Sequence, residues 1–242
     1  MSSYFEPVAD LHTHTMVSPH AYSTLTENAT AAAARGLLAV ATTDHGPKTT
    51  DGNHPWHFGN MRILPDRIAG VRHLRGAEVN VCDYDGTLDL SDDHLSQMEI
   101  VIASMHGGIM PTGTPEEITR AWLEVAENPH VDIIGHCGTP QYVFDYEKVI
   151  PVFAERGKVV EINAGTFRVR KKSLENCAII ARLCAKHGAH VAVNSDAHYL
   201  SQVGDVASAV ALLEEVGFPK ELVINSSRER LEAFLQAKGL AL

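Results

Sequence analysis

Seven short runs of apolar, largely β-branched residues recur along the chain, with longer mixed stretches between them. Within the runs, apolar and polar residues do not alternate, which is typical of strands buried on both faces. The runs are Val8–Leu11, Leu37–Ala41, Leu74–Val79, Ile100–Ala103, Val131–Ile134, Val159–Ile162 and Ala189–Val193. A shorter run at Leu222–Ile224 could add another strand.

Helix-start signals occupy the stretches between these runs. Thr24 and Glu27 have the spacing of a capping box, and they open an alanine-rich segment that Gly36 ends. Thr114 precedes Pro115, and proline is favoured in the first turn of a helix. Further helices are predicted over Asp145–Glu155, Ser173–His187, Gly204–Val216 and Arg228–Ala237.

Strands that alternate with helices predict a parallel sheet with right-handed crossovers. Seven such units in 242 residues predict an α/β fold, a distorted TIM-like (β/α)7 barrel that forms a single domain over residues 1–242. The stretch Gly46–Asn60 has no regular pattern and is predicted to be a long, irregular loop, and loops of this length are often functional.

Composition narrows the classes of function. The chain has 20 Lys and Arg against 30 Asp and Glu, a net charge of −10. Broad nucleic-acid or membrane binding needs a basic surface, so neither is expected, although a short nucleotide end remains compatible. No run is long enough to span a bilayer, and the N-terminus lacks a signal-peptide pattern. The four cysteines form no Cys-x-x-Cys pair, so we expect reduced thiols and a cytoplasmic location.

Residues with metal-binding side chains follow six of the seven predicted strands. His12 and His14 are two residues apart, so in an extended chain both point the same way, and Asp196 and His198 repeat this spacing. Each histidine alone is more often structural, but active sites of parallel barrels lie where the strands end. The candidates are His12, His14, His20, His45, Glu78, His106, His136, Asp196 and His198. Nine exceed the four ligands of one tetrahedral ion, which predicts two or three ions.

Short motifs around these residues, in the same order, resemble those of the polymerase and histidinol phosphatase (PHP) superfamily, over nearly the whole chain. Three longer strings resemble the bacterial YcdX-type phosphatases of that superfamily in particular. The motifs are Asp10–His14, Thr43–His45, the isolated His106 and His136, and Ser195–His198, and the longer strings are Pro19–Thr24, Asp44–Pro47 and Trp56–Arg62.

The resemblance implies a distorted seven-stranded barrel with a trinuclear zinc cluster. It assigns His12, His14, Glu78 and Asp196 to one ion, Glu78, His106 and His136 to a second, and His20, His45 and His198 to a third. Imidazole and carboxylate ligands suit three divalent transition-metal ions, most of all zinc, with manganese or iron as alternatives. The family often has proline after the histidine matched by His136, where this chain has Cys137, a residue we expect to be a bystander.

The expected reaction is in-line attack of metal-bound hydroxide on a phosphate monoester, without a covalent enzyme intermediate. The substrate would be a small phosphorylated molecule or a short nucleotide end, and a small oligomer is compatible with the family. Asp44 is expected to fix the tautomer of a ligand imidazole. Arg62, Arg168 and Arg170 are the candidates for binding the substrate phosphate, because a guanidinium matches phosphate oxygens.

Three alternatives compete with this interpretation. Asp83 begins an Asp-x-Asp-Gly-Thr string that resembles the nucleophile motif of haloacid-dehalogenase phosphatases, but Asp85-Gly86 also predicts a hairpin turn, which we favour. The chain could instead be a non-catalytic metal-binding PHP module, although such modules usually lose ligands. Metal-dependent amide hydrolysis also uses a His-x-His barrel, but Glu78 and the Ser195–His198 ending favour phosphate chemistry.

Overall fold

The computed structural model describes residues 4–50, 52–170 and 172–242. A parallel sheet of seven strands forms its centre, in the order β1-β2-β4-β5-β6-β7-β8. These strands are β1 (Ala9–Asp10), β2 (Ala39–Thr42), β4 (Val71–Asn80), β5 (Ile100–Ser104), β6 (Ile133–Ile134), β7 (Val159–Asn163) and β8 (Val191–Asn194). The remaining strand, β3 (Arg67–Ile68), pairs antiparallel with β4.

The two edges of this sheet meet beyond the strand ends. Thr13 forms an isolated parallel bridge with Ala197, and the His14 backbone N–H donates to the Ala197 carbonyl over 2.8 Å. The sheet is therefore nearly closed, and the prediction of a distorted α/β barrel is confirmed. The eighth predicted run is not a strand, since only Val223 forms a bridge, with Val191.

Seven helices lie between successive strands, and they are α1 (Leu25–Ala34), α2 (Pro55–Asn60), α3 (Asp92–Leu95), α4 (Pro115–Glu127), α5 (Tyr146–Glu155), α6 (Ala164–Val169) and α7 (Ser173–His187) in the described part of the chain. Two more, α8 (Ala207–Glu215) and α9 (Arg228–Ala237), follow the last strand. Both predicted capping boxes are present, at Thr24 and Thr114. No helix within the described ranges is long and apolar enough to cross a membrane.

The prediction of a long, irregular loop over Gly46–Asn60 is wrong for its last part, where α2 forms. His54 caps this helix by accepting the Trp56 N–H on Nδ1 at 3.1 Å, and Pro55 occupies the first turn. Histidine is not among the usual N-cap residues. The short helices α3 and α6 also lie outside the predicted set, because four to six residues give too little periodicity to recognise.

Alternate strand residues fill the barrel interior with two different kinds of side chain. Near the strand starts the interior is apolar, with Leu74, Ile100 and Ile133 packed against Leu231 and Leu235 of α9. Near the strand ends the inward positions are polar, and there Glu78 and Glu161 are almost fully buried. Since α9 covers the apolar end, only the polar end can open towards a substrate.

Candidate metal centre

All nine predicted ligands converge at the carboxyl ends of the parallel strands, around the Glu78 carboxylate. Its backbone is fixed at the end of β4, where the chain pairs with both β5 and the residues after β2. Glu78 Oε1 lies 3.4 Å from His12 Nε2, 3.5 Å from His106 Nε2 and 3.0 Å from His136 Nε2, while Oε2 lies 3.5 Å from His14 Nε2 and 2.6 Å from His45 Nδ1.

A second set of contacts joins the His-x-His segment at His12 and His14 with Asp196 of the Asp-x-His segment. His14 Nε2 lies 3.1 Å from both His12 Nε2 and Asp196 Oδ1, and His12 Nε2 lies 3.6 Å from the same Asp196 oxygen. Two ligand atoms that are each about 2.0–2.1 Å from a tetrahedral zinc ion are about 3.3 Å apart. The spacing of these donor atoms is therefore the spacing that one ion requires.

His20 completes the cluster on its solvent side. Its Nε2 lies 3.0 Å from His198 Nε2 and 3.3 Å from His45 Nε2. The chain brings these residues together because the Tyr22 backbone N–H donates to the His198 carbonyl over 2.8 Å.

Three groups of described residues each have ligand atoms that all lie within 4.8 Å of one another. The groups are His12, His14 and Asp196; His45, Glu78 and His106; and His14, His45 and His198. The first group agrees with the division among ions implied by the resemblance. The other two differ from it, because His45 takes the place of His136 and His14 takes the place of His20. The structure brings the nine residues together, and their division among ions stays a prediction.

Several polar atoms in this cluster are buried without a hydrogen-bond partner among the described residues. They are Glu78 Oε2, His14 Nδ1 and His45 Nδ1. The short separation between the Glu78 and His45 atoms does not satisfy them, because the geometry is not that of a hydrogen bond. Each such atom costs about 1–3 kcal/mol. Cations coordinated by Glu78 Oε2 and His45 Nδ1 would remove this cost for these two atoms, so the donor set fits bound metal.

Most of the protonation states in the cluster suit metal ligation, and His12 is the exception because it would have to release a proton to bind a cation. Burial opposes ionisation of Glu78 and Asp196, but His12 and neighbouring histidines outweigh it and hold the pKa of both carboxyls well below the ordinary range. Burial and the charge of His45 lower the pKa of His14 to about 3. The pKa of His12 is raised despite its burial, because Glu161 and Glu78 are close. Ionised carboxylates and a neutral His14 are ready to bind cations.

Two of the predicted ligands have strained backbones. His136 has φ 27° and Asp196 has φ 54°, in the left-handed region that non-glycine residues seldom adopt. Such conformations cost about 1–3 kcal/mol and persist where surrounding structure enforces them. Gly135 allows the close approach beside His136, since a Cβ there would lie 2.1 Å from Ser104 Oγ.

Two buried carboxylates that the sequence reasoning missed support the cluster. Glu161 Oε1 accepts from His12 Nδ1 over 2.7 Å. Asp10 accepts the backbone N–H groups of Ser195 and Gly204 at 3.1 and 2.7 Å, which ties β1 to the loop of Asp196. The available signal was the same in both cases, a lone acidic residue within an apolar strand.

Asp44 supports the cluster differently from the prediction. Its carboxylate accepts from the Thr15 N–H at 2.7 Å and from the Ser18 hydroxyl at 2.8 Å. Ser18 Oγ in turn accepts the His45 backbone N–H at 3.1 Å. No hydrogen bond joins Asp44 to a ligand imidazole within the described ranges. Asp44 therefore holds the loop beneath the cluster rather than a ligand ring.

The three candidate arginines lie in two separate cavities. Arg168 and Arg170 line a pocket of about 340 Å³ that also contains His20, Asp196 and His198. Arg62 lines a larger cavity of about 950 Å³ with Trp56 and His57, and no predicted metal ligand lines it. Of the basic segment Arg168–Lys172, Lys171 lies outside the described residues. The predicted grouping of Arg62 with the other two is not what the fold produces.

Asp83 lies in the hairpin turn that we favoured over the haloacid-dehalogenase nucleophile motif. Its Oδ1 accepts the backbone N–H groups of Asp85 and Thr87 at 3.0 and 3.1 Å, and Val81 pairs antiparallel with Leu88. Gly86 has φ 74°, the conformation for which a turn favours glycine. Asp83 Oδ1 thus stabilises the turn.

Comparison with known proteins gives the same family as the motifs. A family model described as the PHP domain matches residues 10–165. A protein named probable phosphatase from Clostridium novyi is 44% identical over 233 residues, which are 96% of each chain. Another of that name from Acetivibrio thermocellus is 43% identical over 231 residues, again 96% of each chain. The prediction of a hydrolase of phosphate esters agrees with these names.

Solved structures share the fold at low sequence identity. The crystal structure of a histidinol phosphate phosphatase from Lactococcus lactis, complexed with zinc, L-histidinol and phosphate, superposes with a TM-score of 0.60 at 16% identity, covering 88% of this chain and 95% of the other. One chain from the crystal structures of the metal-dependent tyrosine phosphatases YwqE of Bacillus subtilis and CpsB of Streptococcus pneumoniae gives a TM-score of 0.53 at 15% identity, covering 97% of this chain and 96% of that one. With its motifs, its barrel and these relatives, the chain belongs to the PHP domain family.

Proposed function

We propose that the protein is a metal-dependent phosphatase that hydrolyses a phosphate monoester of a small substrate at a centre of three divalent ions. The observation that carries this proposal is the position of Glu78, which is fully buried and lies within 3.5 Å of five histidines. One carboxylate among so many imidazoles cannot satisfy all of them as a hydrogen-bond acceptor. It can satisfy them as a bridging ligand between cations.

The nine converging residues would hold the ions, with zinc favoured by their imidazole and carboxylate donors. When bound, such ions activate water at neutral pH and offset the negative charge of a phosphoryl group. The protein's own part is to fix the donors. The ligand His12 is oriented by Glu161, and the ligand His106 by Asn80, whose Oδ1 lies 2.7 Å from His106 Nδ1.

The 340 Å³ pocket beside the cluster would receive the phosphate. Arg168 and Arg170 bring two positive charges there, in a chain whose net charge is −10. Arg168 Nη1 contacts Asp205 Oδ2 at 2.8 Å, and Arg170 Nη1 donates to the Thr166 hydroxyl at 3.0 Å. Both guanidinium groups keep further N–H donors for phosphate oxygens, and these donors would orient the ester for attack.

The size of the pocket and the acidic surface favour a small phosphorylated metabolite or a short nucleotide end over extended nucleic acid. The Lactococcus lactis relative in fold binds zinc and phosphate, which supports the same ligands here. The alternative nucleophile Asp83 is not favoured, since its Oδ1 accepts two backbone hydrogen bonds that stabilise a turn. A non-catalytic module is disfavoured because all nine ligands are retained.

The test combines metal analysis with turnover of p-nitrophenyl phosphate. Purified protein should contain two to three transition-metal ions per chain, and chelation should abolish turnover that zinc or manganese then restores. His136→Ala should lower metal content and turnover, whereas His187→Ala, at the exposed end of α7, should change neither. A metal-free protein with full activity would refute the proposal.

A further inference from the structure

Glu161 lies in the middle of β7 and points into the barrel, directly beneath the cluster. Its neighbours Val160 and Ile162 face the outer core, so the acid is the inward residue between them. The side chain is only 1% exposed. A buried carboxylate is costly unless hydrogen bonds compensate it, and the fold keeps this one without any lysine or arginine contact among the described residues.

Four donors surround the carboxylate. Oε1 accepts from His12 Nδ1 at 2.7 Å and from Asn194 Nδ2 at 2.9 Å, while Oε2 accepts from the His136 backbone N–H at 2.9 Å and from Asn163 Nδ2 at 3.0 Å. Both asparagine amides have a fixed orientation, because Asn194 Oδ1 accepts the Leu11 N–H and Asn163 Oδ1 accepts the Thr166 N–H.

Only a group that accepts at every position satisfies this arrangement. An ionised carboxylate does so, whereas the amide of glutamine would place its own NH2 group against two of the four donors. Whichever way that amide turned, it would face either His12 and Asn194, or His136 and Asn163. The site therefore requires glutamate rather than a neutral residue of the same shape.

Through these bonds Glu161 acts on three predicted ligands from three different loops. A proton fixed on His12 Nδ1 leaves the Nε2 lone pair directed into the cluster. The bond to the His136 N–H holds a backbone with φ 27°. Asn163 Nδ2 donates to Asp196 Oδ2 as well, over 3.2 Å, and so connects Glu161 with the third ligand.

We propose that Glu161 is a positioning residue, which sets the metal affinity of the centre by fixing His12, His136 and Asp196 together. This inference rests on the proposed function, since it presumes that these residues bind metal. Loss of a carboxylate behind a ligand histidine typically lowers metal affinity by about 10- to 100-fold. We expect a loss in this range for Glu161→Gln.

The experiment measures zinc affinity by competition with a chromophoric chelator, together with thermal unfolding of the metal-free protein. Glu161→Gln should bind zinc more weakly by the expected factor, and saturating zinc should restore most of its phosphatase activity. Unchanged zinc affinity in a folded variant would overturn the inference.

Glu99→Gln is the matched control. Glu99 is a buried glutamate at the opposite end of the barrel, where it accepts from Arg72 and Arg75. Its replacement should lower the melting temperature and leave zinc affinity unchanged. If both variants lowered zinc affinity equally, the effect of Glu161 would be general destabilisation and the inference would fail.

The wild-type protein supplies a readout that does not depend on a variant folding. Long-range proton–nitrogen NMR correlations of the zinc-loaded protein, with His12 assigned by comparison with His12→Gln, should show the proton on Nδ1. A proton on Nε2 would refute the positioning role. If the wild-type protein binds no metal at all, the proposed function itself fails. If the wild-type protein binds metal and Glu161→Gln has the same zinc affinity, only this inference fails.

Discussion

Replacing Arg168 separates a role in phosphate binding from a role in holding the fold together. Among the described residues, it forms an ion pair with Asp205 alone, at 2.8 Å, and both side chains are more than 40% exposed. An exposed pair of this kind contributes about 0.2–1 kcal/mol. We therefore expect Arg168→Ala to lower the free energy of unfolding by less than about 1 kcal/mol.

The expected effect on substrate binding is much larger. A hydrogen bond from a charged donor to phosphate contributes about 1.5–3 kcal/mol, which converts to a rise in KM of about 10- to 150-fold at 25 °C. Steady-state kinetics on a phosphate monoester measure this rise. Arg168→Lys should recover only part of it, since lysine keeps the charge but loses the planar fork.

Asp205→Asn is the matched control for Arg168. It removes the same ion pair but leaves the guanidinium in the pocket, so KM should stay at the wild-type value or fall slightly. Two results would refute the reasoning. One is a change in KM of less than about threefold for Arg168→Ala, far below the hydrogen-bond magnitude, and the other is an equal rise in both variants.

Three further predictions concern the cluster and its neighbours. His45→Ala should lower metal content, measured by elemental analysis, together with phosphatase activity, because His45 contacts both Glu78 and His20; a change in neither would remove it from the centre. Asp83→Ala should keep most of the turnover and cost only about 1 kcal/mol of stability for its turn hydrogen bonds, whereas a trapped phosphoenzyme in the wild type would contradict this. In metal-free protein, the pKa of His14 is lowered to about 3 in the folded state, whereas it has the ordinary value of 6.5 in the unfolded chain. Between these two pH values the unfolded chain therefore binds a proton that the folded protein does not. The melting temperature should therefore fall as pH drops from 6.5 towards 3, and His14→Gln should flatten this slope. The raised pKa of His12 affects a different pH range. Its contribution to the free energy of unfolding is complete below pH 6.5 and is lost only as pH rises. An unchanged slope in the variant would refute the assignment to His14.

The local parts of the fold could be predicted from the sequence, because the residues that signal them lie within a few positions of each other. The capping boxes at Thr24 and Thr114 are formed by side chains three residues apart, and both are present. The predicted bounds of Ser173–His187 and Arg228–Ala237 agree with α7 and α9. The single domain over residues 1–242 stays a prediction.

The pocket residues show where such reasoning fails. Arg62 and Arg168 are both basic residues close to predicted strand ends or loops, and nothing in their neighbourhoods separates them. The fold places one in a cavity without ligands and the other beside His198. Loop direction decides this, and loop direction depends on contacts such as that between the Tyr22 N–H and the His198 carbonyl, which are far apart in the chain.

The sequence by itself determined the barrel and the candidate metal-binding side chains, because strand burial, helix caps and the two-residue spacing of His12 and His14 are local properties of the chain. Only the tertiary structure decided which partners those side chains have. His12 and Glu161 are 149 positions apart, and His14 and Asp196 are 182 apart. Closing the barrel brings them within hydrogen-bond distance, since all parallel strands end at the same rim.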